Sequence, residues 1–170
     1  MAANDKRALV LGGGGVAGIA WETGLLFGLA ERGVDVLAAD LFVGTSAGAT
    51  VAAQITSNVP LGTLYDAHVF PPEQSTELAV DFDREKMMAE IAPRLAGLTT
   101  ATEMRAAIGR YALAAPTVPE RRRREVIEAR LPSRDWPPQA LRIVAVEAST
   151  GEERIFANDS DVTLVDAVAA

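Results

Sequence analysis

Cysteine is absent from the 170 residues, which excludes disulfides and thiolate metal sites. Histidine is nearly absent: His68 stands alone, so a histidine-rich metal centre is excluded as well. Cationic excess is also missing. The formal net charge is -7, which argues against nonspecific nucleic-acid binding, since that needs a basic surface. Nor is there an uninterrupted apolar run of about 18 residues, the length a bilayer-spanning helix needs. The best candidate, starting at Ala8, is broken by glycines and by Glu22. Lys6 and Arg7 ahead of ALVLGGGGVAGIA imitate the start of a secretory signal, but consecutive glycines suit its helical apolar region poorly. A cytoplasmic location is therefore expected. No internal repeat or low-complexity segment is present.

What remains is a chain that is 49% hydrophobic with charges of both signs, sized for a single domain over residues 1–170. Arg7–Leu11 reads as a short buried strand stopped by glycine. Trp21–Glu31 has Trp21, Leu25, Leu26 and Leu29 at helical spacing, with Gly33 placed to end the helix in a left-handed turn. Asp40–Val43 predicts a second strand, and Ala47–Ser57 a second helix with Val51 and Ile55 on one face. This alternation predicts an α/β fold, a three-layer α/β/α arrangement with a mainly parallel central sheet.

The middle is more polar. VFPPEQSTE, residues 69–77, reads as a loop. Ala101–Ala115 predicts a helix with Met104, Ile108, Tyr111 and Ala115 along one stripe. Glu120–Leu131 predicts another, and its run Arg121–Arg124 invites a phosphate or membrane-surface reading. The pairs Arg121–Glu125 and Arg124–Glu128 are helix neighbours, however, as on any solvated face. Leu141–Ser149 and Glu153–Phe156 predict a hairpin around Thr150-Gly151, and Leu164–Ala170 begins a further helix.

Two glycine motifs carry the chemistry. Gly13–Gly18 fits the dinucleotide fingerprint GxGxxG, after a strand and before a helix, with Asp35 or Asp40 near the distance of a ribose-binding acid. Taken alone, the loop suits a dinucleotide phosphate, a reaction intermediate or a tight turn. Gly44-Thr45-Ser46-Ala47-Gly48 changes the balance. It is GxSxG at a strand–helix junction, the context of a nucleophile elbow, with Ser46 as the candidate nucleophile. Attack by that serine on an ester turns the carbonyl oxygen into an anion, and a side-chain-free loop on the neighbouring strand offers amide donors for it. The glycines are therefore expected to cradle an oxyanion.

GGGGVAGIAWETGLLFGL, GTSAG and LRIVAVEASTGEERIFANDSDVTLVDAVAA together resemble the patatin-like phospholipase family, specifically its bacterial members. The resemblance implies hydrolysis of lipid acyl esters, brief contact with a membrane surface, and no metal or organic cofactor. The family's glycine motif is Asp-Gly-Gly-Gly-x-Arg/Lys-Gly. On that alignment Gly14 and Gly15 donate to the oxyanion, while Gly13 and Gly18 shape the loop. Gly12 stands in place of the acidic residue and Ala17 in place of the basic one, which bears on substrate preference. Gly44 and Gly48 flank the nucleophile Ser46. The family uses a serine–aspartate dyad, so His68 has no assigned role.

The dyad aspartate belongs to an Asp-Gly-Gly or Asp-Gly-Ala motif. Asp81, Asp83, Asp159, Asp161 and Asp166 all lack the following glycine, so no catalytic acid is assigned. The chain thus resembles the first part of such a domain, ending before that motif. Weak or absent turnover is expected, together with uncovered apolar sheet surface that favours self-association. Two rival readings accompany this one: a dinucleotide-binding module using Gly13–Gly18, and a noncatalytic remnant that binds lipid or a partner.

Overall fold

In the computed structural model, which describes residues 6–70, 77 and 83–170, four short apolar segments assemble into one sheet. They are β1 (Ala8–Leu11), β2 (Leu41–Gly44), β3 (Leu141–Val146) and β4 (Glu153–Ala157), hydrogen-bonded in that order. The first three are parallel, and β4 returns antiparallel beside β3. The helices are α1 (Gly15–Glu31), α2 (Ala47–Ile55), α3 (Leu61–Val69), α4 (Arg84–Leu95), α5 (Ala101–Ala114), α6 (Glu120–Arg130) and α7 (Leu164–Ala169). The fold is α/β with a mostly parallel open sheet, consistent with the three-layer α/β/α arrangement expected from the sequence.

The register determines where the core lies. Leu9, Phe42 and Leu141 pair across the sheet, as do Leu11, Gly44 and Ile143, so these residues share one face. That face holds the core with α2, which is buried at every position from Ala47 to Gln54, and with Leu164 and Val165 of α7. Each fully buried aliphatic side chain contributes about 1.5–3 kcal/mol. The opposite face carries Val10, Val43, Val144 and Ile155 and is far more open, with Val10 70% exposed and Ile155 45% exposed.

Several expected boundaries shift. Helix α1 starts at Gly15 rather than Trp21, because the helix continues the glycine loop instead of following it. Its buried face is Ile19, Glu22, Thr23 and Leu26; Trp21 is 68% exposed and Leu25 47%, so the stripe read from Trp21 and Leu25 points outward. In α5 the buried positions are Ala106 and Ala107, and Ile108 is exposed. There Gly109 lies against the backbone of Ala148, and Gly151 against that of Thr102 and Ala106, so small residues make the close contact. The hairpin forms as expected, with Gly151 at φ 76° closing its turn. Gly33 ends α1 at φ 74°. Residues 71–76 of the expected loop lie outside the described residues. Among the described residues, no helix is long and apolar enough to cross a membrane.

Candidate active site

Ser46 occupies the turn between β2 and α2 at φ 54°, ψ -119°, a left-handed conformation that costs a non-glycine residue about 1–3 kcal/mol. The flanking glycines make that turn feasible. A Cβ on Gly44 would collide with the Gly48 carbonyl, and one on Gly48 would collide with the Leu11 carbonyl and stand 2.8 Å from the Gly12 nitrogen. Strand and helix thus touch backbone to backbone. Hydrogen bonds staple the turn to both neighbouring strands. The Thr45 N–H donates to Leu11 O at 3.3 Å, the Gly48 N–H to Gly12 O at 2.7 Å, and the Thr45 hydroxyl to Val144 O at 3.0 Å.

The glycine loop faces this turn. A Cβ placed on Gly13 would lie 3.6 Å from Ser46 Cβ and 3.9 Å from Ser46 Oγ, so only bare backbone separates loop and serine. Gly14 is the N-cap of α1 and has no side-chain cap, while Gly15 opens the helix at φ 60°. First-turn amides of a helix have no acceptor within it. They therefore remain donors for an incoming group. Close contacts hold the loop against the helices: a Cβ on Gly14 would stand 2.7 Å from Gly18 Cα, and one on Gly18 3.2 Å from Ala47 Cβ. Gly13, Gly14, Gly15, Gly18, Gly44, Ser46 and Gly48 thus form one constellation, with Ser46 and Gly13–Gly15 open to solvent.

A cavity of about 500 Å³ opens beside Ser46. Its apolar wall includes Val16 and Ile19 of α1, Val126 and Ile127 of α6, and Val168 of α7. The sequence reading missed this contribution of α6, whose arginines had claimed attention. Arg121 and Arg122 do pair with Glu125, and Arg124 with Glu128, as a solvated face requires. Two others border the cavity: Arg123, donating to Ala169 O at 3.1 Å, and Arg130, donating through Nε to Glu77 at 2.7 Å.

Among the described residues, no side chain hydrogen-bonds to Ser46 Oγ. His68 lies in the last turn of α3, does not line the cavity, and is pushed below its ordinary pKa by burial. Asp166 pairs with Arg124 at 2.6 Å and with the Thr163 hydroxyl at 2.6 Å, and those bonds hold its carboxyl below its ordinary value. Asp83 caps α4. Asp81 lies outside the described residues.

The acids considered for a ribose sit elsewhere. Asp40 accepts the N–H of Arg7, just before β1, so it stands at the end of that strand opposite the glycine loop. Asp35 accepts the N–H groups of Leu37 and Ala38 in its own turn. Among the described residues no cluster of potential ligands could hold a metal ion.

Sequence reasoning also missed Glu22. Its carboxyl is buried and accepts the Gly12 N–H at 2.9 Å. The signal was available: residues 19, 22, 23 and 26 share one helical face, and the acid falls between two core aliphatics. No protein-family model matches the chain, and no curated protein matches it.

Proposed function

We propose that the protein is a serine acyl hydrolase of the patatin type, with Ser46 as its nucleophile. The observation that carries this reading is the serine's own geometry. It is exposed, held at φ 54° and ψ -119° between a strand and a helix, and set against the bare backbone of Gly13. A turn that served packing alone would not need a strained, solvent-facing serine.

In the reaction, Ser46 Oγ bonds to the carbonyl carbon of an acyl ester, the carbonyl electron pair moves onto oxygen, and the hydroxyl proton passes to the alcohol oxygen as the ester C–O bond breaks. Amides of the glycine loop, Gly14 and Gly15 on the patatin alignment, donate to that oxyanion. The alcohol leaves with a proton, and water then releases the acid from the acyl-serine. The apolar wall of the cavity, with Val126, Ile127 and Val168, supports a lipid acyl chain as the group accommodated. The family's proton acceptor is an aspartate followed by glycine, and no aspartate in this chain has one. A serine not paired with a base is a weak nucleophile, so covalent capture of Ser46 is a more sensitive readout than turnover.

Covalent capture is the sensitive test. A fluorophosphonate followed by peptide mass spectrometry should place one adduct on the Ser46 peptide, absent from Ser46→Ala. Saturable binding of a nicotinamide or flavin nucleotide without any adduct would overturn the reading in favour of a dinucleotide module. The placement of Asp40 at the far end of β1 weighs against that outcome.

A further inference from the structure

Among the described residues, Glu22 is the only buried member of the Asp, Glu, Lys and Arg set, at 7% exposure. Burying a carboxyl is costly unless it is usefully bonded. Its Oε1 accepts the Gly12 N–H at 2.9 Å, while the Gly12 carbonyl accepts the Gly48 N–H at 2.7 Å. Gly12 is thus held from two sides, by a side chain of α1 and by the serine turn. On the side where a Cβ would stand, Gly12 meets no atom within 4 Å, while its nitrogen lies close to Gly48. The next residue, Gly13, is the one that lies against Ser46.

We propose that Glu22 is a positioning residue whose carboxyl ties Gly12 in place and so sets the distance between the oxyanion loop and Ser46. This rests on the hydrolase reading above and deepens it. The carboxyl rises from the same helix whose N-terminus supplies the loop amides, so strand end, loop and helix form a closed circuit. Its second oxygen, Oε2, is buried with no partner among the described residues. Burial pushes the carboxyl above its ordinary pKa, opposed by the Gly12 hydrogen bond. A protonated acid still accepts through Oε1, so the tether does not require a buried charge.

A purely structural role predicts something different. An apolar side chain of similar volume would then serve as well, or better, because it removes an unpaired buried oxygen. The test compares Glu22→Gln, which keeps an acceptor, with Glu22→Leu, which fills the space without one. Fluorophosphonate modification of Ser46, the Tm and exchange of the Gly12 amide are measured for each. Glu22→Gln should react within about threefold of wild type. Glu22→Leu should keep its Tm yet react about 100-fold more slowly, as expected when a reacting geometry slips by about 1 Å. Its Gly12 amide should exchange faster than in wild type or Glu22→Gln.

Wild-type reactivity in Glu22→Leu would overturn the proposal, as would an equal loss in a folded Glu22→Gln. Glu22→Met, unbranched like glutamate, replaces the leucine variant if that one does not fold. An unmodified Ser46 in the wild-type protein sinks the hydrolase reading and this role with it, and that failure is visible before any variant is made.

Discussion

Ser46 trades stability for presentation. Its positive φ is maintained by a turn in which Gly44 and Gly48 allow backbones to touch, and the strain is released if the side chain is removed altogether. Ser46→Ala and Ser46→Gly both delete the proposed nucleophile, but only glycine accepts this conformation freely. Ser46→Gly should therefore be more stable than Ser46→Ala by about 1 kcal/mol in chemical denaturation. Equal midpoints would mean that the turn is not strained. The same reasoning explains why the elbow was legible in the sequence. GTSAG spells out a backbone requirement, and each glycine meets a specific neighbouring atom. Glu22 was harder to read because its partner is a backbone N–H, which leaves no mark in residue identities.

At the level of elements, the strand–loop–helix grammar was legible because short apolar runs stopped by glycine have few alternatives. The start of α1 was not. Glycine is a poor helix former, yet Gly15 opens the helix at φ 60°, a positive angle that glycine adopts without strain. The facing of α1 was also misread, since large apolar residues such as Trp21 need not point inward. Helix α7 supplies a checkable case of the opposite kind, where a local signal suffices. Thr163 is its N-cap, accepting the Asp166 N–H at 3.2 Å and donating to Asp166 Oδ2 at 2.6 Å. Thr163→Ala should cost about 1 kcal/mol. Because Val168 of α7 walls the cavity, the loss should show as a lowered Tm together with weaker binding of the acyl chain proposed to sit there.

For the molecule as a whole, acidic groups pull stability in opposite directions as pH changes. Asp166, held below its ordinary value by Arg124 and Thr163, contributes stability above its unfolded pKa that is lost on acidification. Glu22 has the reverse sign. Its folded pKa lies above the ordinary 4.5, so the native state binds the proton more tightly than the unfolded chain. Its contribution is complete below about pH 4.5 and disappears as pH rises through the raised folded value. Denaturation of wild type and Glu22→Gln across pH 4–8, taken as a difference, should therefore show wild type losing ground as pH rises. A flat difference would mean that the carboxyl titrates normally.

The bond from the Thr45 hydroxyl to the Val144 carbonyl spans 99 positions of sequence. Its consequence is temporal. As the polypeptide leaves the ribosome, the first two strands and their helices can associate early, but the serine's turn lacks one of its anchors until the third strand has been synthesised and docked. The turn that presents the Ser46 hydroxyl is thus completed only once the third strand is in place.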